Sequence, residues 1–133
     1  MNIGLVAHDN KKTLMEDLCI AYRNILLKHT LFATGTTGSL IEKATGLYVN
    51  KYLAGHLGGE QQLGAQIAQN DIDLVIFLHD PTKMKSYEPK LDSTLRLCDV
   101  YNIPFATNIA TAEALLLALD KGDLDWRTLV EHN

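Results

Sequence analysis

Leu74-Val75-Ile76-Phe77-Leu78 is an unbroken apolar run, with Asp73 before it and His79-Asp80-Pro81 after it. A run this short, rich in branched and aromatic side chains and stopped by a proline, reads as a strand buried on both faces. Four further apolar runs of strand length lie at 3–7, 31–33, 47–52 and 105–106. The segments between them change period. Leu14, Leu18, Ala21, Tyr22 and Ile25 recur at steps of three and four, as do Leu40, Ile41 and Ala44. The same holds for Leu63, Ile67 and Ala68, and for Leu91, Leu95, Cys98 and Val100 or Tyr101. A last segment, 111–119, is almost entirely Ala and Leu. Each of these spacings predicts a helix.

Strands that alternate with single helices pair in parallel through right-handed crossovers. The expected architecture is therefore a three-layer α/β/α sandwich on a five-stranded parallel sheet, with a flavodoxin-like order as the first expectation. The chain has 133 residues, with no internal repeat, low-complexity stretch or linker, so 1–133 reads as one domain. Twelve Lys and Arg against sixteen Asp and Glu give a net charge of −4, which argues against nucleic acid or an anionic membrane as partner. The two cysteines, Cys19 and Cys98, sit alone inside apolar segments and read as buried thiols of a reducing compartment. No apolar run is long enough to span a bilayer, and the first residues do not resemble a secretory signal, so a soluble cytoplasmic protein is expected.

In an open α/β sheet the ligand sits beyond the carboxyl ends of the strands. The loops at those ends hold much of the chain's small, hydroxylated and titratable chemistry. Thr34-Gly35-Thr36-Thr37-Gly38 follows a strand and opens a helix, which turns free N–H groups and the positive helix end outward. Phosphate is the natural guest, although the segment lacks the Gly-Lys-Ser/Thr ending of a P-loop. A plain turn with a threonine cap is the structural alternative. His8-Asp9 closes the first strand, and Lys12 follows where an ammonium can reach back toward an anion. Leu53-Ala54-Gly55-His56-Leu57-Gly58-Gly59-Glu60 is glycine-rich and ends in a carboxylate at a helix start. Glu60 is either a general base facing the crevice or an acid complementing the helix dipole. Asp80-Pro81 is either a carboxylate at a strand tip or a turn.

Together, His8-Asp9, Lys12, Ala33-Thr34-Gly35-Thr36-Thr37-Gly38, Ala44-Thr45-Gly46, Gly58-Gly59-Glu60-Gln61-Gln62, Asp80-Pro81 and Ile103-Pro104-Phe105-Ala106-Thr107-Asn108 resemble the methylglyoxal synthase family. The likeness runs in register from Met1 to about Arg127. It implies a lyase that converts dihydroxyacetone phosphate to methylglyoxal and inorganic phosphate without metal or organic cofactor, as a homohexamer with strand order 3-2-1-4-5. Carried over by position, His8 and Lys12 bind substrate. Thr34, Gly35, Thr36 and Thr37 cradle the phosphate, and Ala54 and Gly55 close on it. Asp9 and Asp80 are supporting carboxylates, and Glu60 occupies the place of the base.

The chain departs from the family pattern at four positions. Glu60 stands where the family has aspartate, Tyr87 where it has a catalytic histidine, Lys90 where it has an acid, and His79 where similar sequences often have arginine. Tyr87 still offers a hydroxyl to a carbonyl oxygen, and His79 is a second candidate for that role. Two readings follow: a working synthase with Glu60 as base, or an impaired domain that binds phosphate or a phosphorylated metabolite as a sensor. Lys83, Lys85 and Lys90 surround Tyr87 and read either as a solvated loop or as a lure for an anion.

Overall fold

The computed structural model describes residues 1–129; the last four residues of the expected 1–133 domain lie outside the described residues. Five parallel strands form one sheet: β1 (Asn2–Ala7), β2 (Thr30–Ala33), β3 (Val49–Lys51), β4 (Leu74–Leu78) and β5 (Phe105–Ala106). Their order is β3-β2-β1-β4-β5, the 3-2-1-4-5 arrangement. It differs from the 2-1-3-4-5 order of flavodoxin itself, so the chain reverses direction across the sheet between β1 and β4. Ile3 pairs with Leu74 and Ala7 with Leu78, which brings those two strand ends level.

Among the described residues, six α-helices connect and cover the strands: α1 (Lys12–Ala21), α2 (Arg23–Leu26), α3 (Gly35–Thr45), α4 (Gly59–Ala68), α5 (Asp92–Tyr101) and α6 (Ile109–Asp120). Alternation along the strands divides the core into two. Ile3, Leu5, Leu74, Ile76 and Leu78 face Met15, Leu18 and Cys19 of α1, Ile41 of α3 and Leu116 of α6. Val6, Val75 and Phe77 face Leu63 and Ile67 of α4 and Cys98 of α5. Both cysteines are buried and free, and burial pushes each thiol up to about 12. No described helix is long and apolar enough to cross a membrane.

The first helical stripe differs from its sequence pattern. Leu14 is 40% exposed, whereas Met15 and Cys19 are buried, and the helix breaks at Tyr22 before the short α2. The apolar run at 47–52 contains a strand of only three residues, β3, which lies at the sheet edge and pairs with β2 alone.

Arg127 ties the C-terminal segment to the base of the sheet and is wholly buried. Its Nε lies 3.2 Å from Asp73 Oδ1, and its other nitrogens donate to Asn70 Oδ1, the Ile72 carbonyl and the Asn102 carbonyl. Asp73 also accepts from the Asn2 backbone N–H at 2.8 Å. Removing the guanidinium takes the countercharge from a buried carboxylate, so Arg127→Met is expected to cost about 3–5 kcal/mol of folding free energy. Urea unfolding monitored by circular dichroism checks this; a midpoint unchanged from wild type contradicts it.

Candidate active site

The carboxyl ends of β1 and β4 lie side by side because His8 extends their pairing, its N–H donating to the Leu78 carbonyl at 3.1 Å. Beyond them opens a cavity of about 530 Å³. Val6 and Ala7 form its floor, with Asp9 and Lys12 on the next turn. Thr34 and Thr36 line a second side, Ala54, Gly55 and His56 a third, and Tyr87, Glu88 and Pro89 the fourth. Among the described residues, no group of His, Cys, Asp and Glu is arranged to hold a metal ion.

One side is built for an anion. Thr34 is extended before α3, and its side chain makes no capping bond. The Gly35 N–H is used by the Leu53 carbonyl at 3.0 Å, but helix geometry leaves the N–H groups of Thr36 and Thr37 without i−4 partners. Lys12 bridges this helix end to β1: its ammonium donates to the Ala7 carbonyl at 2.7 Å and to Thr37 Oγ1 at 3.3 Å. The glycine-rich loop is shaped by close approach. A Cβ on Gly59 would stand 1.9 Å from the Leu53 carbonyl oxygen, and Gly58 has φ +107°, so α4 starts where only small residues fit.

Next to Lys12 the lining turns acidic and phenolic. Asp9 Oδ2 accepts from Tyr87 Oη at 2.7 Å and from Lys85 Nζ at 3.2 Å, while Asp9 Oδ1 lies 3.5 Å from Lys12 Nζ. The Tyr87 hydrogen bond, with help from the two lysines, holds the Asp9 carboxyl below its usual range. The same bond raises Tyr87, since losing the phenolic proton would set two anions against each other. Burial lowers His79, which does not line the cavity.

Seven of the residues singled out in the sequence meet around this space: Asp9, Lys12, Thr34, Thr36, Ala54, Gly55 and Tyr87. His8, Gly35, Thr37, Glu60 and Asp80 lie behind or beside it. Glu60 Oε1 accepts from Ser93 Oγ at 3.2 Å and Thr94 Oγ1 at 3.1 Å, so its carboxylate is turned toward the start of α5. Asp80 is buried, and the Lys83 and Thr82 N–H groups and the Asn10 amide hold it well below the usual carboxylate range. It is a turn-forming carboxylate. His56, Glu88 and Pro89 line the cavity without having been assigned a role from sequence. Glu88 is buried; its two oxygens accept from the Asp9 N–H at 2.6 Å and the Lys85 N–H at 2.7 Å. An acid before a proline in a polar stretch carries no mark of that long-range bond.

Replacing Asp9 tests the coupling. Asp9→Asn removes the main cause of the raised Tyr87 pKa, so tyrosinate formation at Tyr87 should begin at lower pH than in wild type. A ¹³C-tyrosine NMR titration, assigned with Tyr87→Phe, reads the shift; an unmoved Tyr87 midpoint rules the coupling out.

The wider relationships agree with this geometry. The MGS-like domain family model matches residues 15–107. Methylglyoxal synthase of Caldicellulosiruptor saccharolyticus is 62% identical over 130 residues, covering 98% of this chain and 92% of that protein. The enzyme of that name from Thermoanaerobacterium thermosaccharolyticum is 55% identical over 131 residues, covering 98% of each chain. A crystal structure of methylglyoxal synthase from Elizabethkingia anophelis superposes with a TM-score of 0.84 at 45% identity, covering 86% of this chain and 76% of that one. Likeness of this depth in sequence and fold leaves one conclusion: the chain belongs to the methylglyoxal synthase family.

Proposed function

We propose that this chain converts dihydroxyacetone phosphate to methylglyoxal and inorganic phosphate, acting as one domain over 1–133. The observation that carries the reading is the N-terminus of α3, with Lys12 beside it, at a cavity also lined by a tyrosine and carboxylates. The phosphate docks on the Thr36 and Thr37 N–H groups, the Thr34 and Thr36 hydroxyls and the Lys12 ammonium. Ala54 and Gly55 close the cavity around it.

The reaction needs a base and an electrophile. Glu60 takes a proton from the hydroxymethyl carbon beside the ketone, and the electron pair left behind forms an enediolate. Tyr87, kept protonated by Asp9, donates to the developing oxyanion. The carbon–oxygen bond to phosphate then breaks toward the phosphate, provided it stands out of the enediolate plane, as the hydroxyl on the deprotonated carbon becomes the aldehyde carbonyl and its proton leaves with the phosphate; the enolate left behind takes the proton back from Glu60 at its terminal carbon to give methylglyoxal. Holding the phosphate therefore decides the product as well as the affinity. Glu60 belongs to the helix that directly follows Gly55 and His56, and a side-chain rotation away from Ser93 and Thr94 redirects its carboxylate.

Two substitutions slow this chemistry relative to the family pattern. A longer acid shifts its oxygen by about 1 Å, and misplacement on that scale costs on the order of 10²-fold. A phenol exchanges its proton less readily than an imidazole near neutral pH. The sensor reading is not favoured, because the relatives matched over nearly the whole chain are named as synthases. We place the protein in the cytoplasm as a homohexamer that binds sugar phosphate and inorganic phosphate.

Phosphate release from dihydroxyacetone phosphate is the test. Glu60→Gln should lower kcat by about 10²-fold or more, while Glu60→Asp with Tyr87→His should raise it. No release above background from wild type sinks the reading, and an unchanged rate in Glu60→Gln removes Glu60 as base. Light scattering on the purified protein decides the protomer count.

A further inference from the structure

His56 is exposed on the short 3-10 turn Gly55–Leu57, and it lines the cavity. The loop that carries it is fixed on both flanks. The Leu53 carbonyl accepts from the Gly35 N–H at the start of α3, which holds the loop beside the anion side of the cavity. On the other flank a Cβ on Gly55 would meet Pro89 Cγ at 3.4 Å. The His56 ring meets Tyr87 edge-on, with 5.8 Å between ring centres and 72° between planes. The imidazole therefore sits where this loop joins the end of α3 to the wall that carries the phenol. Among the described residues, neither of its ring nitrogens has a hydrogen-bond partner. Both are free to exchange protons.

The elimination step asks for a group with that freedom. As the carbon–oxygen bond to phosphate breaks, the hydroxyl on the deprotonated carbon loses a proton and the phosphate gains one. One group must then accept from an oxygen and donate to another in the same step. The other polar side chains of the lining are poorly suited to this. Asp9 is held below its usual range by Tyr87 and two lysines, so it is a weak base. Both Glu88 oxygens already accept from backbone N–H groups, of Asp9 and Lys85. Lys12 has donors only, the threonine hydroxyls are far weaker acids than a phenol, and the Tyr87 phenol is itself raised. An imidazole carries one nitrogen that accepts and one that donates, and it exchanges protons near neutral pH. We propose that His56 is a catalytic residue of the elimination step. One ring nitrogen takes the hydroxyl proton as the O–H electron pair becomes the aldehyde carbonyl, and the other gives its proton to the departing phosphate oxygen. The ring begins and ends neutral with its tautomer exchanged, and its exposure lets water reset it. This rests on the reading of the cavity as a synthase site.

The test follows dihydroxyacetone phosphate in D₂O, reading phosphate release by colorimetric assay and deuterium at the hydroxymethyl carbon by ¹H NMR. His56→Ala should release phosphate slower than wild type by roughly 10²-fold or more. The Glu60 step persists in that variant, so recovered substrate should gain deuterium at the hydroxymethyl carbon above the uncatalysed background. His56→Gln, which stays polar but cannot relay a proton, should behave in the same way. Imidazole added to the buffer should raise phosphate release by His56→Ala and leave wild type unchanged. Release at the wild-type rate in either variant overturns the proposal, as does joint loss of release and exchange in both. If wild type neither releases phosphate nor exchanges, the synthase reading falls and takes this proposal with it. With an active wild type, the failure belongs to His56 alone.

Discussion

The parallel pairing of β1 with β4 is the constraint from which the rest of the site follows. It sets Ala7 opposite Leu78 and carries one step further through the His8 N–H, so two strand ends finish level at the point where the sheet order reverses. Connections leaving β1 and β4 in opposite directions must open a crevice there. A one-residue slip would turn each strand over and exchange its two faces. Ile3 and Leu5 face the α1 side while Val6 faces α4 and Phe77 faces α5's layer, so such a slip would disturb both halves of the core. The register is consequently fixed by apolar packing, and the polar site inherits its precision from that packing.

Within the crevice, Asp9 acts as the electrostatic hub. A single carboxylate gathers a tyrosine hydroxyl and two ammonium groups in a chain whose net charge is negative. Asp9 partly neutralises the two lysines. A bound dianion competes with Asp9 for Lys12, and Lys12 already touches Thr37 at the helix end where that charge would settle. On the proposed reading, the affinity for phosphate would be the small difference between two ion pairings plus the contribution of the helix N-terminus, typically about 0.3–1 kcal/mol for an exposed charge. Such an arrangement suits a substrate that must be released as product.

The sheet and its helices were legible because they depend on local periodicity. Leu74 to Leu78 and Phe105-Ala106 read as the strands they form, and the threonine-glycine loop reads as the start of α3. Leu14 misled because it and Met15 are both apolar, and only the packing of α1 on α3 and α6 selects which one is buried. The lining of the candidate site was legible where a loop at a strand end supplies it, as at Thr34, Thr36, Lys12 and Asp9. It was not legible where a side chain acts over distance. The Glu88 bond to Asp9 spans 79 residues and the His8 bond to Pro89 spans 81, and no spacing rule reaches that far. Glu60 shows the same limit in reverse: its position at a helix start was evident, but the hydroxyls that turn it away come from α5.

That last contact also bears on rate. Two hydroxyl groups on a carboxylate at the rim contribute about 1–3 kcal/mol in total, toward the lower end because Ser93 is exposed. Under the proposed mechanism, Glu60 would have to abandon them before each proton transfer, and that cost would enter the barrier at roughly one tenfold step per 1.4 kcal/mol. The extra methylene of a glutamate is what lets the carboxylate reach across to α5, and an aspartate at the same helix position is shorter by that length. In the mechanism proposed above, the substitution would therefore act twice. It moves the reactive oxygen, and it gives the oxygen an alternative partner to leave.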